Sequence, residues 1–397
     1  MRHKFLGSVL MILGTSLGAG MLALPVISSQ QPISVTLVML VFVWFMMTAG
    51  AFALLQVNMW FPSGANLVSM AKQTLGQLGH YVVSLVYLTL LYCLICSYLS
   101  GAGDVLSGLF LSVGLPMPLW LADCLALLLL GSIVVIGIGS VDAANRLLMF
   151  VKIVAYSLVV VALLPQVHAQ HFVGMPFALH GAVLPVMVTA FGFAIIVPSI
   201  RHYMQTSVGQ LKKVLLLGSV IPFLIYLLWI VVVQGALSPQ ELLNVMHSQA
   251  ANAALTQRIA QQLQGGWVSQ VLNFFVSICV MTSFLGVSVC LIDFLADGLG
   301  YRKRGKQGVM VFSLAYLPPL IVVLFSLMIG RNVFYDALRY AGLCCVLLLV
   351  LIPLVMLYIG RYHQNKDCDI TLGGRYTLSF FILFSVLLSV YFTWLLF

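Results

Sequence analysis

The stretch GTSLGAGML, Gly14 to Leu22, sets three glycines and two hydroxyl residues, Thr15 and Ser16, into seven positions of an otherwise apolar run. Glycine costs about 1 kcal/mol relative to alanine in a helix interior, so a helix is weak here. Interrupting a helix leaves amide N–H groups and carbonyls without partners, and hydrocarbon offers them none. A ligand with a cationic and an anionic end does. The N–H groups around Gly18, Ala19 and Gly20, at the start of a half-helix with partial positive charge, suit a carboxylate. Glycine also lets such a group approach the backbone closely.

A second stretch, VLPVMVTAFGFAIIVPSI (Val183 to Ile200), carries Gly192 between Phe191 and Phe193, with Pro185 and Pro198 at either end. Carbonyls released around Thr189, Ala190 and Phe191 suit an ammonium group. Together the two stretches read as a site for an amino acid zwitterion. Either one alone is equally well explained by small residues that let helices pack closely. Their matched placement along the chain is what favours binding.

The elements that carry these stretches follow from composition. Of the 397 residues, 62% are hydrophobic and 7% charged, where a soluble domain carries about a quarter charged. Apolar runs of about 20 residues recur throughout, each long enough to cross a bilayer as a helix. Eleven spans are predicted, at about 5–29, 33–57, 80–107, 117–139, 144–165, 181–200, 213–236, 267–297, 309–329, 333–359 and 376–396. The chain therefore reads as an all-α polytopic membrane protein. The weak segments, near 15–20 and 189–193, open the first and the second group of five spans. Five is odd, so the second group lies inverted in the membrane. Interrupted helices at matching positions of two inverted halves point to a transporter site near the bilayer midplane. This gives a first repeat over 1–165, a second over 181–359, and an extra helix over 376–397.

The net charge of +9 does not signal nucleic acid, because the basic residues sit in short loops between spans. Placing the N-terminus in the cytoplasm puts 15 of the 18 Lys and Arg residues on that side, the 302–306 cluster included. Only Arg258 and Arg331 then lie in outside loops, as the positive-inside rule expects for a cytoplasmic N-terminus and an external C-terminus. The first span is too long for a signal-peptide core and is expected to stay in the mature chain. Seven of the eight cysteines fall in spans and Cys368 in a loop, which argues against a disulfide framework. Cys93 and Cys96 have CxxC spacing, but in an apolar helix they read as packing residues. His168, His171 and His180 gather in one loop and read as solvated. The segments 64–76 and 251–263 read as short amphipathic surface helices, the second over an outer vestibule. No Walker motif, HExxH or nucleophile elbow occurs, so neither ATP-driven transport nor enzymatic catalysis is expected, and no cofactor. Oligomeric state is left open by the sequence.

Several long stretches together carry a resemblance. They are LGSVLMILGTSLGAGMLALP (Leu6 to Pro25), YLSGAGDVL (Tyr98 to Leu106), SVDAANRLLMFVK (Ser140 to Lys152), FGFAIIVPSI (Phe191 to Ile200), GSVIPFLIYLLW (Gly218 to Trp229), TSFLGVSVCLIDFLAD (Thr282 to Asp297) and ALRYAG (Ala337 to Gly342). The chain resembles the hydroxy and aromatic amino acid permeases of bacteria, most closely their tyrosine permeases, nearly end to end. The resemblance implies a LeuT-type five-plus-five inverted-repeat fold with one extra helix, in the bacterial cytoplasmic membrane. It implies import of an aromatic amino acid, tyrosine first, together with a proton, by alternating access. Sodium coupling, or a broader range of neutral amino acids, is the alternative. One departure stands out: family members often carry histidine after the FGF of the sixth span, where this chain has Ala194, which implies a shifted side-chain preference.

The resemblance also implies where the coupling ion acts. Sodium-coupled relatives of this fold hold a cation between the first and eighth spans, with hydroxyl ligands from the eighth, matched here by Thr282 and Ser283. In some proton-coupled relatives a lysine of the fifth span occupies that place, matched here by Lys152. From the residues alone, Lys152 lies roughly 14 Å into its span at 1.5 Å per residue. A charge at that depth costs at least ~2.5–3.5 kcal/mol, although a lysine can also snorkel to the interface. For the substrate side chain, Phe191 suits a thin gate over the break and Tyr98 a donor to the carboxylate. Asp104, Asp123, Asp293 and Asp297 are the remaining acidic candidates, and Asp336 with Arg339 reads as a local pair at an outer gate.

Overall fold

A computed structural model describes residues 2–112, 114–136, 138–172, 180–263, 266–302, 305–331, 333–366, 370 and 373–396. Cys368, Lys303 and Arg304 lie outside the described residues. Among those described there are helices and no strands. In chain order the α-helices are α1 (Arg2–Ser16), α2 (Ala19–Ile27), α3 (Ile33–Met59), α4 (Leu67–Ser112), α5 (Leu119–Ile136), α6 (Ile138–Leu163), α7 (Val183–Ala190) and α8 (Val197–Met204). They continue as α9 (Val208–Ala236), α10 (Pro239–Met246), α11 (Ala251–Leu263), α12 (Gly266–Leu299), α13 (Gly305–Met328), α14 (Val333–Val346), α15 (Ile352–Tyr362) and α16 (Arg375–Leu396).

The chain is a multi-pass membrane protein. Among the described residues nine helical stretches are long and apolar enough to cross a membrane, and the bent pair α1–α2 makes a tenth. The fourth expected span is apolar but shorter than those nine, over Leu119–Val134. Both weak segments do interrupt helices. The axis turns by 52° between α1 and α2, with Gly18 in extended backbone between them (φ −120°, ψ −164°). In the sixth span α7 stops at Ala190 and a tight 3-10 stretch, Gly192–Ile196, leads into α8. Pro198 enters α8 in its first turn, where its missing N–H costs nothing.

The broken segments sit at the centre of the packing. α2 lies on α7 and α9, while α14 packs against α4 and α7, and α12 against α4 and α6. Gly342 lets α14 press onto α7: a Cβ there would collide with the Pro185 carbonyl. The segment between α9 and α12 forms two surface helices. α10 begins with a capping box, in which the Ser238 hydroxyl accepts from the Glu241 N–H while the Glu241 carboxylate accepts from the Ser238 N–H. The expected helix over 251–263 is α11. In the other loop, helix runs from Leu67 and turns at Gly76, whose φ of 75° favours glycine.

The tenth span, Val333–Tyr362, is not a uniform α-helix. Between α14 and α15 it widens into a π-helical turn, Leu347–Leu351. Pro353 follows two residues on, and its ring displaces the carbonyl four residues back, that of Leu349. That carbonyl instead packs against Gly50 of α3, at a distance no Cβ would tolerate.

Candidate functional site

The first break exposes three backbone groups, and each meets a side chain from another span. The Ser16 carbonyl accepts from the Tyr226 hydroxyl at 2.5 Å. The Leu17 carbonyl accepts from the Lys152 ammonium at 2.6 Å. The Ala19 N–H donates to Ser283 Oγ at 3.1 Å. The turn keeps the Leu17 N–H on the Leu13 carbonyl and the Gly18 N–H on that of Ser16, and α9, α6 and α12 hold it from outside at once.

The second break is tied to the first. Tyr226 also reaches the Ala190 carbonyl, at 2.8 Å, and a Cβ on Gly20 would come within 3.6 Å of Ala190 Cα. The two interrupted helices therefore meet back to back. A phenol has one proton, so it can serve only one of these two carbonyls fully at a time. The other keeps lone-pair capacity for an incoming cationic group. The Ser16 hydroxyl, buried at the same place, has no hydrogen-bond partner among the described residues. Tyr226→Phe should remove the donor that the two carbonyls share and cost about 1–3 kcal/mol of stability. The measurement is thermal unfolding in detergent. A saturating amino acid ligand should recover part of the loss, because its ammonium replaces the missing donor.

Lys152 is among the largest fully buried side chains, 1% exposed. Its ammonium donates to the Leu17 carbonyl and, at 2.7 Å, to Thr282 Oγ1. The Thr282 hydroxyl in turn donates to the Ile278 carbonyl at 2.7 Å, and the Ser283 hydroxyl to that of Cys279 at 2.8 Å. The cation so occupies the junction of α1, α6 and α12. It does not snorkel.

The other candidates are placed as follows. Phe191 is fully buried and lies edge-on to the Tyr226 ring, with centroids 5.0 Å apart. Phe193 is equally buried, and Gly192 faces Cys345. Thr189 donates to the Leu338 carbonyl at 2.9 Å and to that of Pro185 at 3.0 Å, which ties α7 to α14. Thr15 is exposed and its hydroxyl turns back to the Ile12 carbonyl at 2.9 Å. Tyr98 is buried close to Tyr226 and Cys345. Asp336 and Arg339 form the expected pair at 3.6 Å. The seven described cysteines are free, and no group of three metal-ligating side chains occurs among the described residues.

The residue that sequence reasoning missed is Tyr226. Its signal was a single phenol in the long apolar run of GSVIPFLIYLLW, but its partners lie 210 and 36 positions away.

Comparison with known proteins gives one consistent result. The tryptophan/tyrosine permease family matches residues 1–392. The chain is 31% identical over 395 residues to tyrosine-specific transport system 1 of Haemophilus influenzae, covering 98% of this chain and 96% of that one. It is 27% identical to glutamine transporter 2 of Aliivibrio fischeri, covering 98% and 99%. Among solved structures, a manganese transporter mutant of Eremococcus coleocola superposes with a TM-score of 0.63 at 12% identity, over 97% of this chain and 85% of that one. At that identity the likeness concerns the fold alone.

Proposed function

Because the chain belongs to the tryptophan/tyrosine permease family, a family of transporters and not of enzymes, we propose that it is a proton symporter importing an aromatic amino acid, tyrosine foremost. On this reading spans 1–5 and 6–10 form two inverted units in the bacterial inner membrane, with the N-terminus inside. The zwitterion binds between the broken segments at Gly18–Gly20 and Ala190–Phe193. Its carboxylate meets the Gly20 N–H at the head of α2, beside the Ser283 hydroxyl that holds the Ala19 N–H, and its ammonium meets the carbonyl shared through Tyr226. Phe191 closes over the side chain.

The observation that carries the coupling is the Lys152 ammonium bridging the first break to α12. An ammonium there fills the place a sodium ion takes in sodium-coupled transporters of this architecture, and supplies a proton that can be released. When Lys152 loses its proton, the Leu17 carbonyl and Thr282 lose their donor, and the hold on the break loosens. Protonation thus favours the assembled site, and substrate and proton help each other to bind.

Uptake of labelled tyrosine into proteoliposomes tests this directly. Uptake should follow an imposed proton gradient and ignore sodium at fixed pH; sodium-dependent uptake that ignores the proton gradient overturns the ion assignment. Unlabelled tryptophan and phenylalanine should compete strongly, histidine and leucine weakly. A broader neutral amino acid range has one observation in its favour, the similarity to a protein named as a glutamine transporter. Strong competition by glutamine would select that second reading.

A further inference from the structure

Two buried carboxyls form no ion pair among the described residues. Asp104 on α4 and Asp123 on α5 are each 2% exposed, and among the described residues neither has a lysine, arginine or histidine within ion-pair distance. They are neighbours. The Asp123 carboxyl lies against the backbone of Gly103, so closely that a Cβ on that glycine would overlap Oδ1. Gly103 is the residue before Asp104. Small residues on α4 have thus made room for an acid from the next helix.

The α10–α11 segment supplies the third member. The Asn252 N–H, near the start of α11, donates to Asp104 Oδ2 at 3.4 Å. The Asn252 side chain is 3% exposed and faces the same carboxyl, while its Nδ2 has no hydrogen-bond partner of good geometry. A buried amide nitrogen without an acceptor is costly, and the side chain that carries it faces Asp104. Among the described residues Tyr335 of α14 and Cys124 of α5 also lie close to the pair, and Asp336, next to Tyr335, is itself paired with Arg339. None of these neutralises a carboxylate directly.

Two bare carboxylates side by side in such a place repel each other and have lost their hydration. A single proton shared between them removes the repulsion, as in carboxyl dyads generally. We propose that Asp104 and Asp123 form a proton-binding site beneath α11, one proton held by the pair, with Asn252 tying the surface helix to the ionised oxygen. The site is separate from the Lys152 junction and does not depend on which substrate is carried. It links proton occupancy to the hold on the α10–α11 segment: water reaches the pair when that segment lifts, and the proton leaves.

Dicyclohexylcarbodiimide, an apolar reagent that adds to protonated carboxyls, reads this in the intact chain in lipid nanodiscs without substrate. The carboxyl O–H adds across one C=N bond, so no further reactant is needed. Mass spectrometry should find one adduct per chain, on Asp104 or Asp123, about tenfold weaker in alkaline than in mildly acidic buffer. In Asp104→Asn, hydrogen exchange at the Asn252 amide should speed up about tenfold, since the charge-assisted bond is gone. The proposal is overturned by no adduct at any pH, by adducts on both acids of one chain, or by protection from sodium instead of alkali. The labelling uses the unaltered protein, so it decides the matter even where the variant fails to fold.

Discussion

Lys152→Ala should abolish gradient-driven accumulation of substrate while exchange of substrate for substrate continues. A proton carried with a zwitterion moves one net charge, and ~100 mV across the membrane is worth about 2.3 kcal/mol per charge. At 1.4 kcal/mol per decade that supports about fifty-fold accumulation. Without the titrating ammonium the carrier can still cycle loaded with substrate, but nothing couples the cycle to the field. Accumulation should then fall from about fifty-fold to equilibration. Lys152→Arg sharpens the test. A guanidinium stays charged at all accessible pH, so it should hold the Leu17 carbonyl and Thr282 in the loaded arrangement and also stop accumulation, now with exchange that no longer responds to pH. Proteoliposomes with an imposed potential and labelled tyrosine give both readings. Unchanged accumulation in Lys152→Ala would remove the coupling role from this residue.

What was legible in the sequence was whatever depends on local composition. Span positions follow from runs of apolar residues, and both breaks from clustered Gly, Thr and Pro in those runs. The helical membrane architecture and the two interruptions could therefore be read directly. The side-chain half of the site was harder, because a residue's partners in a membrane bundle lie in other spans. Lys152 could be singled out by its charge, since a buried charge stands out in hydrocarbon. Tyr226 could not, because this chain has 15 tyrosines and most such residues pack or anchor at interfaces. Thr15 turns back for a local reason: a hydroxyl on a helix readily bonds the carbonyl three or four residues back, and Thr15 does so. The π-turn was signalled by Pro353 alone, and the Gly50 contact that accommodates it is contributed by α3.

The glycines of GTSLGAGML look alike in sequence and should behave differently on substitution. Gly14 is helical and faces Met149, with ordinary room at 3.4 Å. Gly20 has its nearest neighbour, Ala190 Cα, at 3.6 Å from a would-be Cβ. Alanine at either position should be tolerated. Gly18 is the demanding one, and not for its backbone: a φ of −120° is open to any residue. A Cβ there would instead collide with Ser283 Oγ, the acceptor for the Ala19 N–H. Gly18→Ala should therefore push Ser283 aside and strand a buried N–H, at about 1–3 kcal/mol, or about five- to 150-fold in substrate affinity. Ser283→Ala removes the same acceptor and should cost a similar amount. Since both changes break one contact, the double variant should be little worse than either single, with a coupling energy of about 1–3 kcal/mol between the two sites. Substrate affinity of the four proteins, measured by ligand-induced thermal shift, decides it. Simple additivity would mean that Gly18 matters for some reason other than the approach of α12 to the first break.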